Sequence, residues 1–254
     1  MSLEGKVVFV SGASRPRGMG RAIALTLARE GADVAVSGWG HIEGAESVAA
    51  EVSQMGQRSI AVKMDVRDYY DVQKGLARVK EELGAINILV NNAALMGHNI
   101  SIAKTTPEEW DNEVKICLNS AFYCIKEVWA DMRAGGWGRI VNITSVAGVM
   151  GGYGQTSYSA AKAGLIALAK SAAIEGGRFG ITANAVLVGI ANTGTYLADL
   201  SEPVRQRVEK RTLFGKPAEP QDIADAVAYL VSDKARYMTG AVMNMLGGLD
   251  LFVF

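Results

Sequence analysis

The chain has 254 residues, of which 49% are hydrophobic, and its 26 lysines and arginines balance its 26 aspartates and glutamates. A chain of this size and composition buries roughly 70% of its unfolded surface, which excludes a disordered protein and a small disulfide scaffold. The balanced charge gives no net attraction to nucleic acid or to an anionic membrane, and no apolar run approaches the roughly 18 residues of a membrane span. We therefore expect a soluble cytoplasmic protein with neither kind of partner.

Short β-branched runs alternate along the chain with stretches of helical periodicity. The predicted strands are 6–10, 33–37, 59–63, 88–91, 139–143, 182–188 and 242–245. The predicted helices begin at residue 21 and include 48–52, 72–83, 111–133, 157–175 and 220–232. Such alternation predicts a single-domain α/β fold, a Rossmann-type doubly wound parallel sheet of about seven strands with helices on both faces.

One long irregular segment, at about 189–217, follows the sixth predicted strand. Sheets of this kind bind ligands at the carboxyl ends of their strands. We therefore expect this segment to be a substrate lid within a single domain that covers 1–254.

The only two cysteines, Cys117 and Cys124, lie seven residues apart in a helical stretch. About 10.5 Å of helix rise separates them, so they can neither form a disulfide nor share a metal ion. We expect no metal site.

A glycine-rich loop joins the first strand to the first helix. Gly12 permits a tight turn, and Gly18 and Gly20 allow a diphosphate to approach the positive end of the helix. The position between strand and helix predicts a dinucleotide site, although three glycines alone also fit an ordinary turn.

The residues after the second strand bear on the choice between NADP(H) and NAD(H). Gly38 and Trp39 occur where an acidic residue would bind a free ribose 2′-hydroxyl, and Arg15 and Arg17 can offset a 2′-phosphate. NADP(H) is favoured and NAD(H) remains possible. Asp65, after the third strand, can accept a hydrogen bond from an adenine amino group, or it can simply cap a helix.

The predicted helix at 157–175 begins with chemistry suited to carbonyl reduction. Tyr158 and Lys162 lie four residues apart and thus on one face, and Ser145 follows the preceding strand. A phenol beside an ammonium group can exchange a proton with a carbonyl oxygen, and a serine hydroxyl can hold that oxygen.

Together these features resemble the short-chain dehydrogenase/reductase family over essentially the whole chain. The loop from Gly12 to Gly20 resembles its TGxxxGxG motif, and Asn91-Asn92-Ala93-Ala94 resembles its NNAG motif. The resemblance implies a catalytic tetrad of Asn119, Ser145, Tyr158 and Lys162. In it, Tyr158 is the acid and base, and Asn119 supports a water in the proton relay.

The same resemblance, with the glycine loop, implies the cofactor and substrate sites. The expected cofactor residues are Gly12, Ser14, Arg15, Arg17, Gly18, Met19, Gly20, Gly38, Trp39, Asp65, Val66, Asn92, Ala93, Tyr158, Lys162, Gly189 and Thr193. The expected substrate pocket consists of Leu95, Met96, His98, Met150, Tyr153, Leu187 and Tyr196.

Three departures from the family pattern are visible. The glycine loop is two residues longer than usual, Val188 replaces a proline, and Met245 to Gly248 replace an acidic VDGG ending. The apolar ending 251–254 is poorly suited to water, and the resembled family commonly forms homotetramers. We therefore expect a homotetramer with this tail at an interface.

These residues predict an oxidoreductase that transfers hydride between NAD(P)(H) and a small or medium apolar ketone or secondary alcohol. One alternative is a 3-oxoacyl-thioester (acyl-carrier-protein) reductase. The family's carrier-protein reductases tend to have a basic residue in the helix after the catalytic lysine, and Ile174, which lies near that place, disfavours this alternative. An enoyl-thioester reductase is disfavoured because residue 165, seven after Tyr158, is leucine rather than lysine. A nucleotide sensor without catalysis is disfavoured by the intact Ser145, Tyr158 and Lys162.

Overall fold

The computed structural model describes residues 2–95, 100–194 and 201–251. Met96, His98, Tyr196 and the last three residues, 252–254, lie outside the described residues. What was predicted for them is therefore not tested by the structure.

The core of the fold is a seven-stranded parallel sheet in the order β3-β2-β1-β4-β5-β6-β7. The strands are β1 (Val7–Val10), β2 (Asp33–Gly38), β3 (Ser59–Lys63), β4 (Ile88–Asn91), β5 (Gly138–Ser145), β6 (Ile181–Val188) and β7 (Val242–Met245). The order reverses between β1 and β4, which is where doubly wound sheets form a ligand crevice. The predicted fold class and all seven predicted strands are confirmed.

Helices cover both faces of this sheet. They are α1 (Met19–Arg29), α2 (Ile42–Gln54), α3 (Tyr69–Leu83), α4 (Pro107–Val114), α5 (Ser120–Gly135), α6 (Ala147–Met150), α7 (Thr156–Gly176), α8 (Glu202–Glu209) and α9 (Pro220–Val231). Apolar residues of α1, α2 and α9 pack on one face, and those of α3, α5 and α7 pack on the other. Within the described parts of the chain, no helix is both long and apolar enough to cross a membrane.

The helix predicted at 111–133 is divided by a π-helical turn, Lys115–Asn119. The amide of Ser120 donates to the carbonyl of Lys115, five residues earlier, and the Ser120 hydroxyl donates to the carbonyl of Ile116 at 2.6 Å. The hydroxyl thus occupies the carbonyl that an α-helix would pair with the Ser120 amide. Single π turns of this kind often occur at functional sites.

The segment predicted as irregular, 189–217, contains helix α8, so the expectation of no regular structure there was wrong. Its two ends are joined, because Ala218 donates to the carbonyl of Ile190 and Asn192 donates to the carbonyl of Ala218, both at 2.8 Å. Farther along, Leu213 donates to the carbonyl of Gly247 at 2.8 Å. The lid role of this segment stays a prediction.

Helix α2 packs directly against the glycine-rich loop. A Cβ placed on Gly44 would lie 1.8 Å from the carbonyl oxygen of Ser14, so only glycine fits there without movement of the loop. Helix α2 therefore packs against the glycine-rich loop at Ser14 and supports it there.

This contact predicts that Gly44→Ala destabilises the protein. In a helix, alanine is normally more favourable than glycine by about 1 kcal/mol. Overpacking, however, costs roughly 1–3 kcal/mol, and the added Cβ would meet a backbone oxygen, which cannot move aside as a side chain can. We expect a melting temperature lower by roughly 2–8 °C, measured by calorimetry. The matched control is Gly135→Ala, a helical glycine with nothing within 4 Å of the added Cβ, which should not lower it. An equal change in both variants would contradict this account.

Candidate active site

Helix α7 is fastened to strand β5 by side-chain hydrogen bonds. Asn142 and Thr144 lie two apart and therefore on one face of the strand. The Asn142 amide nitrogen donates to the carbonyl of Leu165 at 3.1 Å, and the Thr144 hydroxyl donates to the carbonyl of Lys162 at 2.7 Å. The end of β5 and the first half of α7 thus form one rigid unit.

This unit carries three of the four predicted catalytic residues. The ammonium nitrogen of Lys162 donates to the carbonyl of Ile143 at 2.9 Å and lies 5.5 Å from the centre of the Tyr158 ring. Lys162 is only 2% exposed, whereas Tyr158 and Ser145 are half-buried. Ser145 directly follows Thr144, and its hydroxyl accepts from the amide of Ala147 at 3.2 Å. A reacting carbonyl oxygen needs this kind of setting: a phenol, a hydroxyl and a nearby cation.

Asn119, the fourth predicted residue, is placed differently. It ends the π turn, is half-buried, and makes no side-chain hydrogen bond with the rest of the described chain. Two residues earlier, Cys117 is buried and its thiol donates to the carbonyl of Leu95 at 3.5 Å. Burial raises the pKa of that thiol, and the positive charge of Lys162 opposes the rise. Cys117 therefore lies within the electrostatic reach of Lys162, and the role of Asn119 stays a prediction.

The glycine loop is tied to the end of β4. The Asn92 side-chain nitrogen donates to the carbonyls of Ser11 and Gly12, both at 2.9 Å, and the Ser11 hydroxyl accepts from the amides of Asn92 and Ala93, both at 3.0 Å. A Cβ on Gly20 would lie 2.6 Å from that Asn92 nitrogen. Asn92 and Ala93, both predicted to bind cofactor, therefore contact the start of the glycine-rich loop, which is also predicted to bind it.

The first turn of α1 is open to an anion. Gly18 is its N-cap, no side chain caps it, and none of its first residues, such as Met19, is acidic. By contrast, α4 and α9 begin with reciprocal capping boxes and α3 is capped by Asp68. Uncapped amides at the positive end of a helix fit the diphosphate of a dinucleotide. These residues therefore fit the cofactor that the sequence predicts.

The edge formed by β2 and β3 lies beside this loop. Gly38 is paired in register with Lys63, and the Lys63 ammonium lies 5.7 Å from the centre of the half-exposed Trp39 ring. A Cβ on Gly38 would lie 3.1 Å from the Cβ of Ser14, which precedes Arg15 in the loop. This edge thus carries positive charge and, at Gly38 and Trp39, no carboxylate.

Arg17 faces another direction. It lines a crevice with Asn192, Glu219 and the first turn of α9, and its Cβ lies against the Gly194 position. Arg17 is therefore displaced from the Gly38 edge toward the segment that contains Thr193, which is half-buried. Gly189 packs closely on Leu246, where an added Cβ would lie 3.1 Å from its Cα.

Asp65 is held by a neighbour. Its carboxylate accepts from the Arg67 guanidinium at 2.6 Å and 2.9 Å, and this hydrogen bonding holds the pKa of Asp65 below its usual value. Asp65 is not the N-cap of α3, since Asp68 fills that place. An adenine amino group would share Asp65 with Arg67, beside the half-buried Val66.

The predicted substrate residues separate into two groups. Leu95, Met150 and Tyr153 are exposed apolar or aromatic side chains, with Tyr153 88% exposed. Leu187 differs from the expectation: it is 3% exposed, inside β6, between Thr144 and Asn244. Every residue of β6 is buried in the same way, so Leu187 presents almost no surface in the described structure, and its place in the substrate pocket stays a prediction.

Comparison with known proteins relates the whole chain to one family. A short-chain dehydrogenase/reductase family model, described as enoyl-(acyl carrier protein) reductase, matches residues 12–250. This decides the family. The chain belongs to the short-chain dehydrogenase/reductase family. It is an NAD(P)-dependent oxidoreductase that acts on carbonyl and secondary alcohol groups.

Individual relatives of this dehydrogenase/reductase span nearly its full length. The 3-oxoacyl-[acyl-carrier-protein] reductase FabG of Pseudomonas aeruginosa is 39% identical over 98% of this chain and 99% of its own. FabG of Staphylococcus epidermidis is 38% identical over 96% of this chain and 98% of its own. A crystal structure of a Sinorhizobium meliloti 1021 protein, provisionally assigned as a short-chain alcohol dehydrogenase, superposes with a TM-score of 0.92 at 30% identity and 99% coverage of both chains.

Three residues near the centre of this dehydrogenase/reductase were not singled out as site residues from the sequence. Glu113 and Ser157 are buried and hydrogen-bonded to each other, and Cys117 lies one helical turn after Glu113. The available signal was the spacing of four between Glu113 and Cys117, which places them on one helix face. A glutamate near the end of a short, polar helix is otherwise typical of a solvated surface.

Proposed function

We propose that this enzyme reduces small or medium apolar ketones, or oxidises the corresponding secondary alcohols, with NADP(H) as its preferred cofactor. The observation that carries the reaction type is the buried Lys162 ammonium beside the Tyr158 ring, on a helix fastened to the strand that ends at Ser145. The exposed apolar side chains of Leu95, Met150 and Tyr153 support an apolar substrate.

The proton step assigned here uses this chain's own groups. A bound nicotinamide supplies hydride to the carbonyl carbon. The Tyr158 hydroxyl gives its proton to the carbonyl oxygen, which completes the alcohol, and the Ser145 hydroxyl holds that oxygen in place. The Lys162 ammonium stabilises the negative charge left on the phenol oxygen. Oxidation of an alcohol runs the same proton transfer in reverse.

The preference for NADP(H) rests on the edge beside Gly38. A 2′-phosphate bound there would meet Lys63 and the loop that contains Arg15, and neither Gly38 nor Trp39 would repel it. Arg17, which faces Asn192 and Gly194, is better placed for the diphosphate than for the 2′-phosphate.

A second candidate is reduction of a 3-oxoacyl group carried on acyl carrier protein. The names of the FabG relatives favour it. Ile174, near the place where the resemblance expects a basic residue, is 83% exposed and carries no charge. Enoyl reduction is less well supported, because Leu165 occupies the place of the lysine it would use and is buried.

We also propose a homotetramer. Trp110 of α4 and Phe122 of α5 are exposed, and Phe122 continues through Tyr123 and Tyr69 to the exposed Tyr70 as a chain of aromatic contacts. Aromatic strips of this kind are enriched at interfaces between subunits. The strip spans α3 and α5, and Trp110 lies on the neighbouring α4.

The first prediction concerns the proton donor. Tyr158→Phe should keep the fold and cofactor affinity but lower turnover by about two to four orders of magnitude, and Lys162→Ala should weaken both turnover and cofactor binding. The assay follows NADPH absorbance with a panel of apolar ketones and a 3-oxoacyl carrier-protein substrate. Tyr237→Phe, at a fully exposed tyrosine, is the control. More than a tenth of wild-type activity in Tyr158→Phe would assign the proton to another group, and turnover of the carrier-protein substrate alone would favour the second candidate.

The second prediction concerns cofactor choice. Gly38→Asp would crowd Ser14 as well as add charge, so Lys63→Ala is the cleaner variant. It should lower kcat/KM for NADPH about five-fold, which corresponds to roughly 1 kcal/mol for a partly exposed charge, and leave NADH nearly unchanged. Lys74→Ala, an exposed lysine on α3, is the control. Equal losses with both cofactors, or a wild type that prefers NADH, would contradict the proposal.

The third prediction concerns assembly. Light scattering should give the mass of a tetramer, and removal of residues 251–254 should shift it toward a dimer or lower the melting temperature, since each buried aromatic contributes about 1.5–3 kcal/mol. A monomeric wild type would refute the assembly. An unchanged mass and melting temperature after truncation would refute the role of the tail.

A further inference from the structure

Within the described residues three charged side chains are buried: Glu113, Arg139 and Lys162. Arg139 lies at the start of β5, far along the strand from Ser145, and donates to the carbonyls of Gly138 and Gly180. Lys162 belongs to the proposed catalytic machinery. Glu113 is left without a role, and it is the residue that α4 buries, at 7% exposed.

The carboxyl group of Glu113 reaches the beginning of α7. Its Oε2 accepts a hydrogen bond from the hydroxyl of Ser157, whereas its buried Oε1 has no partner in the described structure. Ser157 is itself buried and directly precedes Tyr158. Because Gln155, the N-cap of α7, makes no side-chain capping bond, the bond to Glu113 is a side-chain anchor for this first turn.

The same carboxyl group shares its surroundings with Lys162. The Cys117 thiol is influenced by the positive charge of Lys162 and by the negative charge of Glu113, with opposite effects on its pKa. An apolar side chain would fill such a buried position at less cost than a carboxylate with one unpaired oxygen. The free-energy cost of burying Glu113 is explained if Ser157 needs the hydrogen-bond acceptor that Glu113 provides.

We propose that Glu113 is a positioning residue for Tyr158, a role that rests on the function proposed above for that tyrosine. Glu113 holds Ser157, Ser157 fixes the first turn of α7, and that turn sets the direction of the phenol. Helix α4 thereby secures the free end of α7, while Asn142 and Thr144 secure its middle.

A double-mutant cycle tests this role. Glu113→Leu and Ser157→Ala remove the two partners singly and together, and Glu113→Gln keeps a side-chain oxygen that can accept from Ser157. Each variant is measured for kcat and KM with an apolar ketone, for NADPH affinity, for melting temperature, and for hydrogen exchange of the peptide that covers 156–162. The matched control is Glu127→Leu, which removes the acceptor of the Tyr69 hydroxyl on another helix pair.

We expect Glu113→Leu and Ser157→Ala each to lower kcat about ten-fold. The NADPH affinity of each should stay within two-fold of the wild-type value. The double variant should be no worse than the poorer single one, because both remove the same contact. Glu113→Gln should recover to within about three-fold of wild type, and the first turn of α7 should exchange faster in Glu113→Leu and Ser157→Ala but not in Glu113→Gln or Glu127→Leu.

Several results would overturn the proposal. The first is a loss of kcat in the double variant that equals the product of the two single losses. The second is a kcat of Glu113→Gln as low as that of Glu113→Leu. The third is hydrogen exchange in the first turn of α7 that does not change in Glu113→Leu and Ser157→Ala. A failure of the proposed function looks different: Tyr158→Phe would remain active, while the exchange data would still report whether Glu113 orders this turn. If Glu113→Leu does not fold, Ser157→Ala and Glu113→Gln still decide the outcome.

Discussion

The attachment of α7 to β5 is the contact on which the proposed site depends. Two strand side chains, Asn142 and Thr144, donate to carbonyls in the first half of the helix, and Lys162 donates back to the strand at Ile143. A carbonyl already bonded within a helix has a second lone pair, so these bonds do not compete with the helix itself. Buried bonds of this kind fix both the distance and the rotation of α7 relative to the strand. They therefore hold Ser145 of β5 and Tyr158 of α7 at a fixed distance and orientation relative to each other.

A second anchor fixes the proposed cofactor cradle by the same means. Ser11 and Asn92 lie at the ends of the adjacent strands β1 and β4, and each uses its side chain to hold the backbone of the other's segment. The sheet order reverses between these strands, so the helices that follow them diverge and leave a crevice. The open first turn of α1 faces this edge, and the end of β5 lies one strand beyond it. The topology therefore places an anion-binding helix end on the same edge of the sheet as the Ser145, Tyr158 and Lys162 group.

The sequence was sufficient for features that depend on local periodicity. The buried strands are continuous β-branched runs, and the spacing of four residues places Tyr158 and Lys162 on one helix face, although only the position of Ser145 and the family motifs gave that spacing a meaning. Helix α8 was not predicted, because its only apolar side chains in the sequence besides Pro203 are Val204 and Val208, too few to mark a helix in a segment rich in charged residues. Leu187 shows a limit of the same reasoning, because every residue of β6 is buried and no local pattern tells which of them borders the crevice. Glu113 was not singled out because its burial is decided by α7, which packs on α4 from more than forty residues away in the sequence.

The π turn explains why spacing alone could not assign the residues beside Lys162. An extra residue in a helical turn rotates every following side chain by about 100° relative to the preceding helix. The side chains of α4 and of α5 consequently follow different phases, and Cys117, at the centre of the turn, is the one buried there. Because burial raises the pKa of this thiol, Cys117 stays neutral and adds no charge beside the catalytic group. Lys162 and Glu113 act on this thiol with opposite effects on its pKa, so a helical irregularity that no periodicity predicts places a neutral side chain within reach of both buried charges.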